Sequence, residues 1–155
     1  FAPVVLEESA HDIFSLDAND SPYMLLVADV QEKHRKEIDQ GTTGFDRLRL
    51  IRSIYPAITH VDFSARIQTV DQKRDERFWN LLKEFEKLTE CPMLINTSFN
   101  VRGEPIVCSP EDAWNCFVNT DMDVLVLGET ILLKKDQPNI KKQEHSEYLG
   151  KFALD

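Results

Sequence analysis

An α/β domain, a twisted mixed β-sheet with helices packed on it, is the fold class that this sequence of 155 residues predicts. Three observations lead there. Short apolar runs rich in β-branched residues (APVVL, PYMLLVADV, ITHVDFSARIQTV, PMLIN) alternate with one long and one short helical pattern. Several strand runs adjoin one another in sequence, which calls for antiparallel neighbours beside any parallel ones. The length suits one domain over 1–155, able to bury roughly two-thirds of its unfolded surface without staples.

The elements follow in order. Ala2–Leu6 and Pro22–Val30 read as strands, and the Asp, Asn and Ser residues between them form a connecting loop with one short helical turn. The charged stretch from Glu32 to Thr43 reads as a solvated, mobile surface loop. Ile58–Val70 is β-rich with a bend signal at Asp62 to Ala65, giving two strands or one strand with a bulge. From Gln72 to Leu88, Phe78, Leu81, Leu82, Phe85 and Leu88 recur at spacings of three and four, which predicts an amphipathic helix whose apolar stripe is core. Pro92–Asn96 is a short buried strand. Ser109, Pro110, Glu111 and Asp112 supply a capping hydroxyl, a proline at the first position and first-turn acids, so a helix starts there and runs to about Asn119. Asp123–Leu127 and Thr130–Lys134 pair around Gly128, and the polar residues after Lys135 form a surface tail.

Composition narrows the function classes. At 42% hydrophobic and 29% charged, with no apolar run near the roughly 20 residues of a membrane helix, the chain reads as soluble, with no membrane partner. A net charge of −9 opposes nucleic-acid and anionic-membrane binding but leaves room for a small anion held by converging arginines. Cys91, Cys108 and Cys116 are odd in number and lack CxxC spacing, which suggests neither a disulfide framework nor a metal site and fits a reducing cytoplasm. Cys108 reads as a small buried hydrophobe. FAPVVLEE lacks the basic region of a targeting peptide and looks like a strand entered inside a larger protein.

Two stretches carry candidate chemistry. In PMLINTSFNVRGEPIV an apolar strand becomes densely polar, with Asn96, Ser98, Asn100 and Arg102 in close succession. If the backbone stays extended, Ser98 and Asn100 share a face and together suit a phosphate or carboxyl oxygen, and Gly103 supplies a positive φ for a tight turn. The competing reading is a well-bonded turn with no ligand. In HVDFSARIQTV, Arg66 sits among apolar neighbours, where it is costly unless it meets a carboxylate such as Asp62 or a bound anion. His60 and Asp62 alternate onto one face, either structural or assisting a ligand. A phosphate loop, a nucleophile elbow and a zinc helix motif are all missing. A nucleophilic Ser98 or Cys108 with His60 as base stands as a minor alternative.

The stretches FAPVVLEE, HVDFSARIQTV, PMLINTSFNVRGEPIVCSPEDAWNCF and MDVLVLG resemble the C-terminal domain of the O-carbamoyltransferases that act on nodulation factors and antibiotics. The resemblance covers most of the chain, and the NTSFN-x-RGEPIV block is highly specific. It implies a YrdC-like fold, paired in the full enzyme with an N-terminal domain of the Kae1/actin-like ATPase fold. The implied reaction takes ATP, with Mg2+, and carbamoyl phosphate to carbamoyl-adenylate, whose carbamoyl group the N-terminal domain passes to an acceptor hydroxyl. On the family pattern Ser98 and Asn100 are half of an anion-binding set whose Lys-x-Arg half lies upstream of FAPVV. Arg66 is expected at the phosphates or the carbamoyl oxygen, and Asn96, Arg102 and His60 are candidates for nucleotide contact. The isolated chain would then transfer no carbamoyl group and bind ATP weakly. Phe63 stands where the pattern has glycine. The rival from another class is a non-catalytic docking module of the same fold.

Overall fold

A run in which every residue is buried, Ala2–Leu6, forms strand β1 at an inner position of a five-stranded sheet. Unbroken apolarity is what a strand covered on both faces needs. The computed structural model describes residues 2–39, 41–137, 148, 150 and 152, which fall into two compact units, 1–97 and 98–155.

In the first unit, β1 runs parallel to β4 (Ser64–Val70), with Val4 beside Gln68, and antiparallel to β5 (Met93–Asn96), with Ala2 opposite Asn96. Beyond β4 lie β3 (Leu26–Val30), with Val27 opposite Arg66, and the two-residue β2 (Phe14–Ser15), giving the order β2-β3-β4-β1-β5. The sheet is mixed and carries helices, as the paired runs predict.

Helix α1 (Glu7–Ile13) follows β1 directly, where a loop with a single helical turn was expected. Ala10 and Ile13, three apart, both enter the core, and this packing supplies what the uncapped N-terminus does not. One face of the sheet closes over Val5, Ala10, Ile13, Phe14, Ala65 and Ile67. On the other, Val4, Leu6 and Val70 pack with Leu82 of helix α2 (Glu76–Thr89).

Helix α2 starts at Glu76 rather than Gln72, because the Asp75 side chain accepts the Phe78 N–H and sets the cap there. Its apolar stripe is core only in part. The helix rests on β1 and β5 through Leu82, Phe78 and Trp79, whereas Leu81 is 56% and Leu88 84% exposed. The charged stretch after Glu32 is tied down rather than free. Arg35 donates to the Val30 carbonyl at 2.7 Å and to Asp29 at 3.0 Å, bridges to Ser53, and is followed by a Lys36 N–H to Arg52 carbonyl bond of 2.7 Å. Residues 58–63 are turns and irregular backbone, so only Ser64–Val70 of the predicted β-rich stretch is strand.

The second unit holds helix α3 (Pro110–Val118) and the hairpin of β6 (Val124–Leu127) and β7 (Thr130–Leu133), which turns at Gly128 with φ 60°. Ser109 accepts the Asp112 N–H at 3.1 Å and the Asp112 carboxylate accepts the Ser109 N–H at 3.0 Å, the reciprocal box that the sequence predicts. Ala113, Phe117 and Leu125 form this unit's core, with Phe99, Val107 and Leu132 around them. The expected tail after Lys135 lies largely outside the described residues.

Candidate functional site

Alternation along β4 sends Arg66 and Gln68 to the same sheet face as Val70, and alternation along β5 sends Asn96 there with Leu94. Helix α2 covers the end of that face holding Val4, Leu6 and Val70. The other end presents Arg66, Gln68 and Asn96. Arg66 is exposed and forms no ion pair or hydrogen bond among the described residues, so neither Asp62 nor another acid neutralises it. The cost of burying it does not arise, and its charge is available. Asn96 Nδ2 donates to Gln68 Oε1 at 2.6 Å, and Gln68 Nε2 donates to the Pro22 carbonyl at 3.2 Å. Gln68 was not among the predicted site residues, although its place two residues after Arg66 on a strand was the signal.

At the start of β4, three polar groups form a chain. Ser64 donates its hydroxyl to Asp62 Oδ1 at 2.7 Å, and the Ser64 N–H reaches the same oxygen at 3.1 Å. These bonds, the hydroxyl one foremost, hold the Asp62 carboxyl below its ordinary range. His60 Nδ1 lies 2.9 Å from Ser64 Oγ. Because the only hydroxyl hydrogen of Ser64 goes to a carboxylate, His60 Nδ1 is the donor in this contact, and Nε2 has no partner among the described residues. Phe63, in the turn between them, has φ 68° and lies under the Arg35 guanidinium, 5.0 Å from its ring centroid. Phe63 thus holds a left-handed backbone position of the kind that glycine adopts without strain.

In the second unit the polar stretch folds on itself. Ser98 donates to Asn100 Oδ1 at 2.5 Å, and the Asn100 amide donates to the carbonyls of Val101 and Glu104, both at 2.9 Å. Glu104 accepts the Val101 N–H at 2.9 Å and the Tyr148 hydroxyl, and Gly103 has the positive φ, 82°, that the tight turn predicts. Both amide hydrogens of Asn100 are therefore used inside the turn, while Ser98 and Arg102 are exposed. Cys108 is exposed, not buried, and its thiol faces the Ile106 carbonyl. Cys116 is the buried thiol of this unit, and desolvation pushes it up to about 11, leaving it protonated and unreactive.

A pocket of about 340 Å³ opens beside β5, lined by Tyr55, Ile58, Phe85, Met93, Ile95 and their neighbours. Its walls carry no charged side chain, so nothing in its lining would neutralise an anion. Among the described residues no group of three His, Cys, Asp or Glu is arranged for a metal, and no helix is long and apolar enough to cross a membrane.

An α/β domain with an exposed guanidinium that has no partner among the described residues, and a fixed amide on the same sheet face, is suited to a small polar anion. The family model for the carbamoyltransferase C-terminus matches residues 1–134, and the chain belongs to that family. An uncharacterized protein of Synechocystis sp. is 51% identical over 100% of this chain and 25% of its own length. Nodulation protein NolNO of Sinorhizobium fredii is 38% identical over 87% of the chain and 18% of its own length. For nodulation protein NolO of Bradyrhizobium diazoefficiens the values are 39%, 87% and 22%. The chain thus spans a quarter or less of the length of these relatives.

Proposed function

We propose that this chain is the C-terminal part of an O-carbamoyltransferase that binds ATP and carbamoyl phosphate and forms carbamoyl-adenylate, for transfer to an acceptor hydroxyl by a Kae1-like N-terminal domain of the same polypeptide. The supporting observation is Arg66, an exposed cation with no partner among the described residues, on a strand of a chain whose net charge is −9. Against that mean field an anionic substrate needs a local cation. In this reading carbamoyl phosphate is first hydrolysed to carbamate and phosphate. A carbamate oxygen then attacks the α-phosphorus of ATP, the bond to the bridging oxygen breaks, and pyrophosphate leaves. Carbamate is short-lived in water, so the site must hold it beside the α-phosphate and away from solvent. Arg66 would neutralise phosphate oxygens, and His60 Nε2, which has no partner among the described residues, would meet the nucleotide. A magnesium ion would enter on the triphosphate and offset its charge, since such ions are held largely by substrate phosphates and water.

The resemblance assigns Ser98 and Asn100 to the same ligands. Within that stretch the Asn100 amide is occupied in its turn, while Ser98 and Arg102 are exposed. The test is carbamoyl phosphate-dependent ATP–pyrophosphate exchange by the intact enzyme. Arg66→Ala removes a charge-assisted contact of about 1.5–3 kcal/mol and should slow exchange by about 10- to 150-fold, with the melting temperature near wild type because the side chain is exposed. Ser98→Ala should slow it less. Wild-type exchange with a sharply lowered melting temperature in Arg66→Ala would overturn the reading.

A further inference from the structure

The hydrogen bonds around Gln68 settle which end of the Asn96 amide faces outward. A backbone carbonyl only accepts, so the bond to the Pro22 oxygen requires the NH2 end of Gln68 there. Gln68 Oε1 then faces Asn96, which must answer with its own NH2. Asn96 Oδ1 is left with no partner among the described residues, on a half-buried side chain. An amide oxygen repels a phosphate oxygen and accepts from N–H, so Asn96 does not belong with the anion-binding donors.

What it does suit follows from its row. The parallel register of Val4 with Gln68, stepped back two residues, puts Ala2 beside Arg66, and the antiparallel register puts Ala2 opposite Asn96. Arg66, Ala2 and Asn96 therefore stand side by side on three adjacent strands, with the buried Ala2 methyl between donor and acceptor. At about 4.8 Å per strand the two outer backbones are about 10 Å apart, a span that two side chains with a small planar group between their tips can bridge. Carbamoyl phosphate presents both features such a row needs, oxygens for the guanidinium and an NH2 for an acceptor. The 6-amino group of adenine is also an N–H donor, but the ribose holds it far from the phosphates that Arg66 would bind.

We infer that Asn96 Oδ1 accepts the carbamoyl NH2, that Gln68 is its positioning residue, and that this pair selects a carbamoyl group over an acyl group lacking N–H. The inference rests on the function proposed above. Titration calorimetry on the intact protein compares carbamoyl phosphate with acetyl phosphate, which has a methyl in place of the NH2, and ATP with inosine triphosphate, which lacks the 6-amino group. Wild type should favour carbamoyl phosphate by about tenfold or more, the scale of one lost hydrogen bond with its partner left unpaired. Asn96→Leu should bring that ratio near one by weakening carbamoyl phosphate alone. Gln68→Leu should narrow it, because the freed Asn96 amide can rotate. Should Asn96→Leu fail to fold, Asn96→Ala reads the same ratio. An unchanged ratio in the Asn96 variants, with both ligands weakened together, would overturn the inference and leave the proposed function standing. A change in the ATP to inosine triphosphate ratio instead would give the contact to adenine and overturn it equally. If wild type binds neither carbamoyl nor acetyl phosphate, the proposed function fails and this assignment with it.

Discussion

Phe63 occupies left-handed backbone at φ 68°, pinned by its N–H to the His60 carbonyl at 3.1 Å and by its own carbonyl, which accepts the Val30 N–H at 2.9 Å. A side chain at such a φ costs on the order of 1 kcal/mol, and the Arg35 stack over the ring offsets part of it. Phe63→Ala loses the stack and keeps the strain, whereas Phe63→Gly loses the stack and relieves the strain. In urea unfolding the glycine variant should be the more stable of the two by up to about 1 kcal/mol, the reverse of the order at an unstrained position. Glu7 is a second residue held against its preference. Burial foremost, then the nearby Asp71 and Asp20, raises its carboxyl above the ordinary 4.5. The folded state therefore binds the proton more tightly than the unfolded one. Stability from this group is fully present below 4.5 and is lost as pH rises through the raised folded value. Glu7→Gln should raise the melting temperature at pH 7, and the gain should shrink toward pH 4; a gain independent of pH would remove titration as its cause.

The start of α3 is written in adjacent residues, and the reciprocal bonds of Ser109 and Asp112 follow from them. Ser109→Ala should cost about 1 kcal/mol in denaturant unfolding. Asp112 adds a pH signature. The Ser109 bonding first, then the Cys108 N–H, lowers its carboxyl below 3.8, so its stabilisation is present above that value and is lost as pH falls through the lower folded one. The penalty of Asp112→Asn should be largest near neutrality and fade toward pH 3. Strand β1 and the stretch that became β5 were legible for a similar reason, since a short unbroken apolar run carries its own label. Helix α1 was not, because only Ala10 and Ile13 mark its buried side and seven residues are too few for a period to show. Strand β3 was read four residues too long. Ser21 donates its hydroxyl to the Ile67 carbonyl and its N–H to Thr69 Oγ1, both at 2.8 Å, and these long-range bonds leave Tyr23 and Leu25 at 77% exposure ahead of the strand. Such a constraint cannot be seen in the letters of the run itself.

For the whole molecule the class of fold was readable from alternation, but the neighbours of each strand were not. The parallel pairing of β1 with β4 depends on residues some sixty positions apart, and sequence periodicity says nothing of partners. The site divides the same way. Arg66 announces itself as a cation in an apolar strand, whereas the direction of the Asn96 amide needs Gln68 and the Pro22 carbonyl, which only the folded sheet brings together. Ile67, wholly buried at the centre of that sheet, is where its cohesion can be measured. Ile67→Ala should cost about 2–5 kcal/mol in urea unfolding, and an effect near zero would mean that the core repacks around it. The inner place of β1 also has a consequence for how the chain is made. Its five residues are all buried in the finished sheet, yet β4 and β5 are synthesised about sixty and ninety residues later. At roughly 5–20 residues per second, β1 waits several seconds for its first neighbour and longer for its second. Through that interval a wholly apolar strand has no lateral partner of its own, so the crowding of nascent chains on a polysome, rather than the stability of the finished domain, should set how much of the protein reaches its native state.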